Sequence, residues 1–155
     1  MPAKAFRSRY IIAILFAVLL LAAGCKKSQD AITEDLLQQY FETNILNRDF
    51  QVKVAVDDNG TDITTQYTGY TFKLLKTNTN YNGQMTGTRN GTVITGTWTC
   101  NDDFSKLDIS LTQPSIPAEF VFLNRPWRFT KKAVPVMELA PWGGSPAYVL
   151  HMERL

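Results

Sequence analysis

The chain has 155 residues, 45% hydrophobic and 19% charged, with two cysteines, one histidine and a formal net charge of +2. That length suits one domain. No Gly-x-Ser-x-Gly, phosphate loop or His-Glu-x-x-His occurs, and a triad, a His-based metal site or a Cys–His pair would have to use the one histidine, His151.

Lys4, Arg7 and Arg9 form a positive start, and Ile11 to Ala23 follows as 13 residues without a charge. That is the length of a secretory apolar region, whereas a helix across a bilayer needs about 20 apolar residues. The run ends in Leu21-Ala22-Ala23-Gly24-Cys25. This stretch resembles the lipobox of bacterial lipoproteins. The resemblance implies that residues 1–24 are a signal peptide, that Cys25 is lipidated, and that 25–30 is a tether to a single domain over 31–155. Two or more acyl chains anchor stably where one does not, so the mature protein would stay on its membrane. The resemblance also implies the outer membrane, because Lys26 stands where the inner-membrane retention signal has Asp. Ordinary cleavage after Gly24 and an uncleaved anchor are the competing readings.

Without its first 24 residues the chain keeps 131, with 13 basic against 14 acidic residues, and the formal charge becomes −1. The apparent basicity belonged to the signal, so no electrostatic footprint for nucleic acid remains. With Cys25 acylated, Cys100 is the one thiol left. No intrachain disulfide can form, and stability has to come from packing.

Ile32, Leu36, Leu37, Tyr40, Phe41 and Ile45 recur at three- and four-residue spacing, which predicts an amphipathic helix. Asp30 or Thr33 can cap its start. Glu34, Asp35 and Glu42 make its polar face acidic, so it is expected to dock on the domain rather than lie on a membrane. From Phe50 the period changes to two. Phe50, Val52, Val54 and Val56 alternate with Gln51, Lys53 and Ala55, and Tyr70, Phe72 and Leu74 alternate with Thr71 and Lys73. Further strands are predicted over Gln84–Thr88, Thr92–Cys100, Lys106–Leu111, Trp127–Lys132, Val134–Leu139 and Tyr148–Arg154. Asn59-Gly60, Asn82-Gly83 and Asn90-Gly91 read as hairpin turns, because Asn-Gly tolerates positive φ. Asp62–Thr68 stays unassigned. Ala118–Leu123 reads equally as a strand or a helical turn, kept short by Pro114, Pro117 and Pro126.

Short sequential strands with tight turns predict a mainly β fold. It is an antiparallel meander of about eight strands, a small barrel or a curved half-barrel, with one N-terminal helix. Alternation predicts a core of Ile94, Trp98 and Cys100; Leu107, Ile109 and Leu111; Trp127 and Phe129; Met137 and Leu139; and Tyr148, Leu150 and Met152. Gly96-Thr97-Trp98, Lys106-Leu107-Asp108-Ile109, Phe122-Leu123-Asn124 and Trp127 resemble the pattern of lipocalin-like lipoproteins of Gram-negative envelopes, over about residues 92–155. Lipocalins carry Gly-x-Trp on their first strand. Here it follows a helix and about three strands.

Residues with chemical potential are few. His151 falls on the opposite parity from Tyr148, Leu150 and Met152 and is expected to face outward. Asp57, Asp58, Asn59 and Asp62 surround Gly60 without the glycine position or terminal glutamate of a calcium loop, so a turn and no metal is expected. Asp102 and Asp103 sit in a turn and need no acid–base role with Asp108. Arg125, Arg128, Lys131 and Lys132 form the basic cluster of the folded part, with Arg128, Thr130 and Lys132 on one strand face. It is either a contact for an anionic headgroup, glycan or protein, or a solvated outer wall. Trp142 lies in the last hairpin loop and either stacks on a sugar or partner or caps the core. Arg125, Arg128, Lys132 and Trp142 are thus the binding candidates.

No nucleophile–base pair is in view and no cofactor is expected. The sequence therefore reads as a non-catalytic interaction module of the outer membrane, meeting an envelope protein through an exposed strand edge or the Arg125–Lys132 face. The other reading is a lipocalin-like binder of a small apolar or glycan ligand, with Trp98, Trp127 and Trp142 as lining. Small barrels fill with side chains, which favours the first.

Overall fold

The computed structural model describes residues 35–77, 81–132, 134–144 and 148–155, with Lys132 described in its backbone alone. The lipobox with Cys25, the tether, and Asp30, Ile32 and Thr33 of the expected helix lie outside the described residues. The chain divides between Gln38 and Gln39, and the unit described below is Gln39–Leu155.

Eight strands follow one another: β1 Asp49–Val56, β2 Thr71–Lys76, β3 Asn82–Arg89, β4 Thr92–Cys100, β5 Lys106–Gln113, β6 Pro126–Lys132, β7 Val136–Pro141 and β8 Val149–Arg154. Each pairs antiparallel with the next and β8 returns to β1, so the meander is a closed barrel. Closure leaves no free outer strand, which removes the exposed edge considered above as a docking route. Alternate residues enter the interior: Phe72 and Leu74, Met85, Ile94 and Trp98, Leu107, Ile109 and Leu111, Trp127, Met137 and Leu139, Leu150 and Met152 are all buried. Three expected core residues are only half-buried. Cys100 and Tyr148 stand at strand ends, where one set of neighbours is missing, and Phe129 precedes a break in register.

The strand departures have local causes. Asn90 and Gly91 both take positive φ, 52° and 80°, and form the expected turn between β3 and β4. Asn82-Gly83 is not a turn. Both residues lie inside β3, with Gly83 opposite Lys76 and Trp98. Glycine serves there for close approach, since a Cβ would come 1.9 Å from the Leu75 carbonyl oxygen. The Trp98 indole donates to that same oxygen at 2.9 Å. In β1 the register shifts between Val52 and Val54. One extra residue reverses the parity, so Ala55 is fully buried while Val54 lies opposite outward His151. Val54 and Val56, which alternate with Ala55 in the sequence, are half-buried. The last hairpin also moves, its first strand running over Val136–Pro141 instead of Val134–Leu139.

Both mouths are plugged. The N-terminal helix α1, described over 35–44, enters this unit at Gln39 and ends where Asn47 takes φ 58°. Within this unit the helix buries Phe41, and Ile45 and Leu46 just past its end are buried too. The Phe41 ring meets those of Tyr81, Trp98, Phe104 and Phe129 at centroid distances of 6.4, 5.9, 5.2 and 6.2 Å. Glu42 pairs with Lys76 at 2.6 Å beside them. The opposite mouth is closed by a 3-10 turn, Thr64–Tyr67, and a short helix α2, Phe120–Leu123. These are the two segments whose state the sequence left open. Tyr67 donates to the Glu119 carbonyl at 2.6 Å and Tyr70 to its carboxylate at 2.9 Å. Asn124 accepts from Leu111 N at 2.7 Å and donates to Leu111 O at 2.9 Å. Its amide thus replaces a strand neighbour where β5 and β6 separate.

Candidate binding surface

The four binding candidates do not form one cluster. Arg125 belongs to the α2 mouth. It donates to the Phe122 carbonyl at 2.7 Å, and its guanidinium lies 3.8 Å from the Tyr148 ring centroid and 5.7 Å from that of Trp127. A guanidinium stacked and bonded in this way holds the plug. Arg128 is exposed on the outer wall of β6. The register breaks between Phe129 and Lys131, within the strand expected to carry Arg128, Thr130 and Lys132 on one face. In backbone register Lys131 stands opposite Glu138 and Lys132 opposite Met137.

Cross-strand pairing brings a different set together. Lys106 on β5, Arg128 on β6 and Ala140 on β7 form one row. The next row is Asp108 and Pro126, completed by Trp142, whose N–H donates to the Pro126 carbonyl at 3.0 Å. Adjacent strands are about 4.8 Å apart, so these side chains share one small area of wall. Trp142 is 43% exposed and does not cap the core. The Lys106 ammonium lies 5.7 Å from its ring centroid and 2.8 Å from the Asp108 carboxylate. Lys131 is paired with Glu138 at 3.2 Å.

The charge balance follows. Lys106 and Lys131 each have a carboxylate, whereas Arg128 has no ion-pair partner among the described residues. The surface thus presents an indole face, a flat proline and an uncompensated guanidinium. Exposed ion pairs contribute about 0–1 kcal/mol, so the two lysine pairs orient side chains more than they stabilise. Tryptophan and arginine are the side chains that most often dominate protein contacts. Lys106 was not singled out in the sequence, because only the β5–β6 register places it beside Arg128.

The remaining titratable groups are placed elsewhere. His151 is half-buried on β8, opposite Val54 and Glu138. Asp57 accepts from the N–H groups of Asn59 and Thr61, each at 2.9 Å, as an acid in a tight turn does. Asp103 accepts from Ser105 N at 3.0 Å in the turn before β5. Burial raises the Tyr67 hydroxyl far above its usual pKa, with the Glu119 charge adding to the shift and Arg125 opposing it. Among the described residues no three His, Cys, Asp or Glu side chains gather as metal ligands would.

No protein-family model, curated protein or solved structure matches this chain.

Proposed function

We propose that this chain is a lipid-anchored outer-membrane lipoprotein whose barrel is a non-catalytic interaction module. It docks on an envelope protein through Trp142, Pro126 and Arg128. The observation that carries the docking reading is the exposed indole beside a guanidinium with no ion-pair partner among the described residues. The lipobox ending at Cys25 carries the anchor. A partner of fitting chemistry presents a carboxylate next to an apolar or aromatic side chain, which the arginine fork and the indole receive together.

The lipocalin-like reading loses weight on packing grounds. Trp98, Trp127, Phe50 and Phe72 have no exposure, and aromatic clusters cover both mouths, so these side chains take the central space a ligand would need.

The test uses the full chain extracted from its native membrane. Crosslinking is expected to give one stoichiometric partner, lost on Arg128→Glu and on Trp142→Ala. Lys53→Glu, on the distant β1 wall, should keep it. A small molecule retained inside the barrel, seen by intact mass spectrometry, would overturn the proposal. So would a partner indifferent to both substitutions.

A further inference from the structure

A cleft of about 630 Å³ lies on the outer wall of β3 and β4, one strand from the Asp108–Pro126–Trp142 row. Its size is in the ~300–1,000 Å³ range of small-molecule sites. Thr77, Asn82, Gln84, Thr97 and Thr99 supply its polar lining, and among the described residues no charged one lines it. Register explains the grouping: Asn82 stands opposite Thr99 and Gln84 opposite Thr97, all on outward parity. Gly83 and Gly96 line it too, and both are points of very close approach, with a Cβ 1.9 Å from Leu75 O and 1.8 Å from Ser110 O.

The chemistry of the lining is narrow. Gln84, Thr97 and Thr99 make no side-chain hydrogen bond among the described residues, and Gln84, Thr97 and Thr99 are all exposed. Their amide and hydroxyl groups each donate and accept. The charged residues nearest in register are already engaged. Lys76, opposite Gly83, holds Glu42 at 2.6 Å, and Asp108, opposite Thr99, holds Lys106 at 2.8 Å. Among the described residues an anion finds no free cation here and a cation no free carboxylate, and a purely apolar ligand would leave the Gln84 amide and the Thr97 and Thr99 hydroxyls without partners.

We infer that this cleft binds a neutral saccharide, whose ring hydroxyls are met by Gln84, Thr97 and Thr99. The site shares no residue with Trp142, Pro126 and Arg128 of the docking surface. The full chain in detergent, with labelled side-chain amides, is titrated with neutral hexose and N-acetylhexosamine oligosaccharides and, in parallel, with oligogalacturonate. The neutral sugars are expected to shift the Asn82 and Gln84 side-chain amide resonances and the Thr97 backbone amide. Thr97→Val keeps shape and strand preference but removes one hydrogen bond, so binding should weaken about three- to tenfold. Gln84→Ala should weaken it comparably, and Lys53→Glu on the β1 wall should leave it unchanged. The inference is overturned if no neutral sugar shifts these resonances up to about 10 mM. Tighter binding of the uronate, or a Thr97→Val chain that binds as well as the native one, overturns it equally.

Discussion

Gly83→Ala separates two reasons for a glycine. Gly83 is not among the glycines with positive φ, so alanine can adopt its backbone conformation. The obstacle is space. The added Cβ would lie 1.9 Å from Leu75 O, 3.0 Å from Trp98 Nε1 and 3.1 Å from Leu75 C. The carbonyl cannot swing aside like a flexible side chain, because β2 holds it in the ladder and the Trp98 indole is bonded to it. Forcing a methyl into a packed site costs about 1–3 kcal/mol. Separating the buried indole N–H from its acceptor adds about 1–3 kcal/mol. The expected loss is therefore about 2–6 kcal/mol, read as a lower urea midpoint with an unchanged slope, followed by tryptophan fluorescence. Gly91→Ala is the control. Its Cβ meets nothing within 4 Å but its φ is 80°, so only backbone strain of about 1–2 kcal/mol applies. If Gly83→Ala costs no more than Gly91→Ala, the close-approach reasoning is wrong.

Other outcomes follow from the same structure. Phe41→Ala should cost about 3–5 kcal/mol in the same assay, because the ring is 1% exposed and joins four aromatic neighbours; a loss below 1 kcal/mol would mean α1 does not plug the mouth. Tyr67 has a folded pKa raised above its ordinary value of 10.0 by burial, so its contribution is intact below pH 10 and is lost as pH rises above it. Stability should fall there by up to about 1.4 kcal/mol per pH unit for this one group, and Tyr67→Phe should flatten the dependence; an equal alkaline slope in both chains would count against it. Cys25→Ser should release the protein from the membrane fraction or block its processing, and an unacylated mature N-terminus would refute the anchor.

Local sequence determined the number and order of the strands, because alternation of apolar and polar residues is read one strand at a time. It located the Asn90-Gly91 turn for the same reason, since positive φ at two adjacent residues is a local demand. Most of the core was legible in this way, from Ile94 and Trp98 to Leu150 and Met152. Tertiary structure alone decided the rest. An extra residue between Val52 and Val54, and another between Phe129 and Lys131, reverses every side chain beyond it. Neither break has a residue signature, because the bulge answers the twist needed for closure and not a preference of its own residues. The same holds for Gly83, whose local sequence signals a turn and whose neighbour across the sheet, Leu75, requires a strand glycine. The Lys106–Arg128–Trp142 surface and the β3–β4 cleft depend on cross-strand register. Side chains far apart in the chain became neighbours there only once the eight strands met around the barrel.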